Sequence, residues 1–401
     1  MLVEVDFDAH SMEDFSTNQK DKELLGEFVQ KTGRFLLNIP GWRTKRKIIV
    51  FESDDWGSIR MPSREAYLRS LRAGYPVNKI AYERYDALLS HEDLEFLFDL
   101  LRRYKDNNGN HPVITANCVV ANPDFEKIAN SDFKKYYYEL ITETFKKYPN
   151  HQNNFKLWIS GMESGVFFPQ FHAREHLNVR LFMEALSNGD KDAHWGFANK
   201  MPGSIPRGPR VKGNPYVESL RFTSEDDKNE KLAIMLEGLE IFEKLFGFKS
   251  KSITPPNYIW SPDFDEPIKE AGVMFFKSIR KTLEPVFDGE SRYHNHFLGQ
   301  RNCFGQVYLV RNAVFEPSLF GLGIKDSLQR CLSDISIAFQ LNKPAIISCH
   351  RINFSGFIDE TNRDINLNLL GKLLKEVTKR WPNVEFMNSV QLGDHIKSSE
   401  N

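Results

Sequence analysis

The run KIIVF at residues 47–51 is apolar from its second residue onward, so it reads as a strand covered on both faces. The pattern recurs. VITANCVV (113–120), FKLWIS (155–160), KSITPP (251–256), VMFFKSI (273–279), YLVRNAVF (308–315), AIISCHRI (345–352) and VEFMN (384–388) are further candidate strands. Between them lie helical patterns at about 63–73, 92–106, 125–148, 228–246 and 366–380, and another from Leu177 to about Ser187. Alternating strands and helices imply βα units around a parallel sheet, an α/β fold. Sites in such sheets gather at the C-terminal ends of the strands.

Several of these runs end in residues that can do chemistry. The first runs into SDDWG, which offers adjacent carboxylates, Asp54 and Asp55. Neighbours at a strand end point in different directions, so one can bind a metal while the other faces a substrate; alternatively the segment is a turn capped by Asp. QFHAREHLNV places His172 and His176 four residues apart, on one face if helical or converged by a loop, with Arg174 and Glu175 as candidate supporting partners. Two imidazoles and a carboxylate make a facial metal site with open positions. His350 closes AIISCHRI, where it can serve as a general acid or as a structural histidine. Pro255 and Pro256 stiffen the loop before Asn257 and Tyr258, whose backbone N–H groups suit an oxyanion hole. A rival metal pair, His294 and His296 in RYHNHF, sits in polar surroundings that read as an exposed loop.

Composition narrows the classes. The chain has 401 residues, 41% of them hydrophobic and 32 of them Phe, enough for a large aromatic core. Its 53 Lys and Arg nearly cancel 54 Asp and Glu, which argues against a general nucleic-acid binder. Cys118, Cys303, Cys331 and Cys349 lack CxxC spacing and fit free thiols in a reducing compartment. The acidic start MLVEVDFDAHSMEDF is no signal peptide, and no apolar run is long enough for a transmembrane helix. The expectation is a cytoplasmic protein with a flexible N-terminal segment over 1–30. The Gly- and Pro-rich stretch 196–215 reads as a loop; its Lys200, Arg207, Arg210 and Lys212 would favour an anionic substrate if it folds over the site.

Taken in order, SDDWG, HAREH, TPPNY and SCHRI resemble the motifs of the polysaccharide deacetylases, the NodB-homology group of carbohydrate esterase family 4. The resemblance covers roughly residues 45–395 and implies a distorted (β/α)7 barrel, here a single domain over 31–401 with insertions at about 57–110, 121–168 and 190–222. It implies one divalent metal ion, Zn²⁺ first and Co, Ni or Mn as alternatives, held by Asp55, His172 and His176. Asp54 takes the base position and His350 the acid position. Asn257, Tyr258, Trp56 and Arg351 fall at oxyanion or substrate positions.

The implied activity is hydrolytic N-deacylation of an acylated amino sugar in a polysaccharide or its precursor, anionic and lipid-linked forms included. A homo-oligomer stays open. Two family features are missing. Thr254 stands where the family has the Arg that orients its catalytic Asp, with Arg60, Arg280 and Arg351 as candidates to replace it. The Asp-Trp segment that partners the catalytic His has no counterpart after Lys277. The alternatives are a deformylase or O-acetyl esterase, a metal-free glycosidase using Glu52, Asp54 or Asp263, and a carbohydrate-binding pseudoenzyme.

Overall fold

The computed structural model describes residues 31–202, 215–287, 290–320 and 324–399. The expected flexible segment 1–30 lies outside them, as do Arg207, Arg210 and Lys212 of the basic loop. Its centre is one parallel sheet of nine strands: β1 (Lys47–Trp56), β2 (Ile114–Val119), β3 (Phe167–Ala173), β4 (Ser252–Ile253), β5 (Phe275–Ser278), β6 (Val307–Val310), β7 (Ala313–Val314), β8 (Ala345–His350) and β9 (Val384–Phe386). Their order is β6-β5-β4-β3-β2-β1-β8-β7, with β9 added beside the start of β1.

The two ends of that order are one stretch of chain. Val307–Val310 pairs with β5, and Ala313–Val314, two residues on, pairs with β8. At the break the Arg311 N–H donates to the Ser278 carbonyl at 2.9 Å and the Asn312 N–H to the Ile346 carbonyl at 3.1 Å. A single broken strand thus joins both edges. With β1, β2, β3, β4, β5 and β8 it fills seven positions around a distorted barrel. The α/β barrel expected from the sequence is the fold observed.

Alternation along β1 organises the interior. Ile49 and Phe51 join the large buried cluster with the helices over His91–Arg102, Glu225–Phe246 and Glu360–Arg380. Ile48 and Val50 belong instead to a second cluster with Phe275, Val307, Leu309 and Ile346. That face continues at Glu52 and Asp54, so one row runs from aliphatic to acidic as it nears the strand's C-terminal end.

Helices begin where capping residues allow. Ser63 caps Arg64–Arg72, Ser90 and Asp93 form a capping box on His91–Arg102, and Gly247 ends Glu225–Phe246 at φ +78°.

Two expectations change. FKLWIS is helical, within Asn154–Glu163. Its buried positions, Asn154, Trp158 and Gly161, are spaced three and four apart, and Gly161 leaves room for Phe98 and Phe167. Residues 125–148 are two short helices, Phe125–Asn130 and Ile141–Lys147, split by Tyr138–Leu140, which pairs antiparallel with Ala121–Pro123. All four cysteines are free, and among the described residues no helix is long and apolar enough to cross a membrane.

Candidate metal centre

β1 and β2 pair in register to Ser53, then shift before Trp56. The irregularity carries Asp54 and Asp55, with Asp55 at φ +73° and Gly57 at φ +84°. A left-handed Asp costs about 1 kcal/mol or more and is held only by its surroundings. The bend sends the two carboxylates to different partners.

Asp55 meets the histidines. Phe171 on β3 is level with Ile253 on β4, which sets the next residues, His172 and Thr254, side by side. The His172 ring Nδ1 lies 2.6 Å from the Thr254 carbonyl, so Nδ1 carries a proton and, in the neutral ring, Nε2 presents a lone pair. That Nε2 is buried without a hydrogen-bond partner, 3.6 Å from Asp55 Oδ1. His176, just past β3, brings its Nε2 to 3.5 Å from the same oxygen. Ligand atoms of Asp55, His172 and His176 all lie within 4.8 Å of one another, the only such group among the described residues. A lone pair aimed at a carboxylate oxygen is repulsive unless a cation stands between them. One carboxylate and two imidazoles are the donors a borderline divalent ion prefers. Burial pushes the His176 ring down to about 3, so it is neutral and able to ligate. Burial would raise the Asp55 carboxyl, but Arg60 and the histidines hold it well below the usual range.

Asp54 meets Arg311. The guanidinium donates Nη1 to Oδ2 and Nη2 to Oδ1, both at 2.7 Å, while its Nε reaches Glu52 Oε2 at 2.7 Å. Nη1 also reaches the Tyr258 hydroxyl at 2.8 Å, and Nη2 lies 3.4 Å from Thr254 Oγ1. Asn117 on β2 donates its side-chain amide to Asp54 and accepts from the buried Lys277 ammonium. Burial raises the Asp54 carboxyl, but Arg311 outweighs it and the group ionises far more readily than an ordinary carboxylate. Burial lowers Lys277 to about 7.

His350 stands beside Asp54 because the two are register partners across β1 and β8. Its Nε2 lies 3.7 Å from Asp54 Oδ2, and its Nδ1 lies 2.5 Å from Glu316 Oε1. Glu316 Oε2 accepts in turn from the Asn353 amide at 2.7 Å. Burial disfavours the imidazolium, yet Glu316 and the aspartates raise the ring to about 9.

No family model and no curated protein matches this chain. Solved structures do. The peptidoglycan deacetylase PdaC from Bacillus subtilis matches over 88% of this chain and 93% of its own, at 10% identity and a TM-score of 0.37. Puue allantoinase matches over 89% and 93%, at 11% identity and a TM-score of 0.46. The 4-alpha-glucanotransferase from Thermococcus litoralis matches over 86% of this chain, which spans 40% of that enzyme, at 10% identity and a TM-score of 0.41. The likeness to solved polysaccharide deacetylases is one of fold.

By their own distances Asp54, Asp55, His172, His176 and His350 converge, but other sequence readings change. Trp56 is 1% exposed, donates to Ser53 Oγ at 2.9 Å and packs against Phe167 and Trp158; it is a core side chain. Arg351, 1% exposed, is buried and bound to Asp86 at 2.9 Å. The Tyr258 N–H is spent on the Pro255 carbonyl at 2.9 Å, which leaves Asn257 as the backbone donor of that pair. Both residues adopt positive φ, +53° and +54°.

Arg174 and Glu175 pair with each other rather than with the imidazoles. His294 binds Glu284, and His296 meets Thr282 while stacking on Tyr308. Glu52 is fully buried against Arg311 and Ser389, and Asp263 binds Lys228, so the carboxylate set of a glycosidase is not assembled. Arg311, and not Arg60, Arg280 or Arg351, holds Asp54.

The reading from sequence missed Arg311, Glu316, Asn117 and Lys277. Three of them carried a signal: a charge or amide inside an apolar strand run, which must find a partner when buried.

Proposed function

We propose that this protein is a metal-dependent hydrolase that removes an acyl group, acetyl first among candidates, from the nitrogen of an amino sugar. The observation that carries the reading is the pair of imidazole Nε2 atoms facing one Asp55 oxygen at 3.6 and 3.5 Å, beside an Arg-held Asp54. Asp55, His172 and His176 would hold one divalent ion, Zn²⁺ before Co, Ni or Mn, which when bound lowers the pKa of water to about 7 and polarises an acyl oxygen.

The chain's own groups supply the proton traffic. Asp54, ionised and fixed by Arg311, accepts the proton as water adds to the amide carbon. The Asn257 N–H would donate to the developing oxyanion, a donor of the kind worth about 3–4 kcal/mol. His350, charged below about 9 and aimed by Glu316, donates from Nε2 to the amine as the C–N bond breaks. The products are a free carboxylic acid and an amino sugar. A cytoplasmic sugar precursor as substrate belongs to the same proposal.

The test is metal content by elemental mass spectrometry together with acetate release from N-acetylated sugars. About one ion per chain and acetate release, both lost in His172→Ala, support the reading; an active protein without metal overturns it. Sugar binding with metal but no acid released would mark a binding protein on the same scaffold.

A further inference from the structure

The segment that follows the aspartates builds a second feature beside the metal centre. The Ile59 N–H is held by Asn122 Oδ1 at 3.0 Å, and the Met61 N–H by the Asp86 carbonyl at 3.0 Å, so Arg60 between them is fixed at its backbone. Its guanidinium reaches back to Asp55, placing Nη2 3.4 Å from Oδ2 while Oδ1 faces the two imidazoles. One carboxylate therefore has the metal ligands on one oxygen and Arg60 on the other.

Arg60 is poorly satisfied where it sits. Its Nε is buried without a hydrogen bond, 3.8 Å from Asp86 Oδ2. Arg351 has taken the other Asp86 oxygen at 2.9 Å, and both Arg351 Nη atoms are buried without a partner. Arg311, by contrast, makes three bonds at 2.7 Å to two carboxylates. The Arg60 side chain is 14% exposed, unlike Arg311 at 2% or Arg351 at 1%, so it alone of the three can meet a ligand.

Charge points the same way. Asp55 and Asp86 are two negative charges set against Arg60, Arg351 and, on the reading above, a divalent ion. Burial pushes the neighbouring Glu83 carboxyl up to about 7, which weakens its contribution. Tyr82, half-buried on the helix Ala81–Tyr85, lies under the Arg60 guanidinium at 5.6 Å and meets the His350 ring edge-on at 5.6 Å. Its ring spans the space between the cation and the candidate acid, an aromatic wall of the kind that packs against the C–H face of a sugar.

We propose that Arg60 and Tyr82 form an anion-reading wall of the substrate site, with Arg60 binding a carboxylate or phosphate carried by the sugar and Tyr82 packing against the ring. The inference rests on the deacylase reading for its substrate class, and deepens it from an acylated amino sugar to an anionic one. Charge-assisted hydrogen bonds of about 1.5–3 kcal/mol correspond to a preference of roughly tenfold or more.

The experiment compares N-acetylglucosamine, N-acetylmuramic acid and N-acetylglucosamine 6-phosphate on the zinc-loaded full chain. The readout is the ratio of kcat/KM for each anionic sugar to that of the neutral one. Calorimetric binding of the same sugars to the metal-free chain runs beside it. We expect a ratio of about 10 or more for one anionic sugar, which also tells carboxylate from phosphate. Arg60→Gln should bring that ratio near 1, and Arg60→Lys should keep part of it. A wild-type ratio near 1, or a preference that survives Arg60→Gln, overturns the proposal. So does loss of bound metal in Arg60→Gln with the ratio unchanged, since Arg60 would then only support Asp55. If no sugar releases acetate but Arg60-dependent preference persists in the binding arm, the wall stands and the deacylase reading falls.

Discussion

Arg311 holds both oxygens of Asp54 at 2.7 Å from a position 257 residues further along the chain. It does so from the break in the strand that joins the two edges of the barrel, so closing the sheet and fixing the aspartate are one structural event. The neighbouring Glu52 takes the third guanidinium bond, which makes Arg311 the counter-charge of two buried carboxylates.

Replacing Arg311 should therefore be severe. Arg311→Met leaves Glu52 and Asp54 buried without their cation and should cost about 3–5 kcal/mol of stability, read by urea denaturation. Arg311→Lys keeps a charge but loses the planar fork; it should fold and lose roughly tenfold or more in kcat. Wild-type turnover in Arg311→Lys would show that Asp54 needs no fixed orientation.

Asp54 and His172 should separate chemistry from binding. Asp54→Asn is expected to retain the ion and lose turnover by about 100-fold or more. His172→Ala is expected to lose both, with metal followed by elemental mass spectrometry. Unchanged activity in Asp54→Asn would remove that residue from the base position.

The pH dependence follows from His350. Its ring is raised to about 9, so the imidazolium persists through neutrality and is lost as pH climbs through that value. The stability that the charge contributes is complete below the unfolded value of about 6.5 and disappears across the window from there to about 9. Activity should fall on the same alkaline limb. Glu316→Gln removes the main raising partner and should move the limb down by about one unit or more, visible in ring chemical shifts as well as in rate. A limb that does not move would mean that another group sets it.

Trp56 offers a control. Because it is packed among Phe167 and Trp158, Trp56→Ala should destabilise by about 3–5 kcal/mol. Trp56→Phe should restore most of that loss. A rise in KM for Trp56→Phe without loss of stability would return this residue to the substrate site.

The candidate metal ligands were legible because two short motifs carry them, SDDWG with Asp55 and HAREH with His172 and His176. The strand Phe167–Ala173 that carries His172 was not legible, because the four-residue spacing of the pair fits a helical face or a loop. The partners of Asp54 and His350 were not legible. Arg311 lies in YLVRNAVF, which reads as one strand, and only the pairing of its halves with β5 and β8 shows the break. Glu316 follows that strand with nothing in its neighbours to mark it. Trp56 was misread for a related reason: adjacency to Asp55 in sequence says nothing about which side of a bulged strand a ring takes.

The sequence by itself determined most of the strand and helix pattern and the two motifs, SDDWG and HAREH, that carry the candidate metal ligands, since each of these depends on side chains within a few positions of each other. Tertiary structure alone decided which cation serves which carboxylate. Arg60, Arg311 and Arg351 are chemically alike, and their assignment to Asp55, Asp54 and Asp86 is set by where the barrel closes and where the segment 57–110 packs. Ion pairing depends on distance in space, and a chain records only distance along itself.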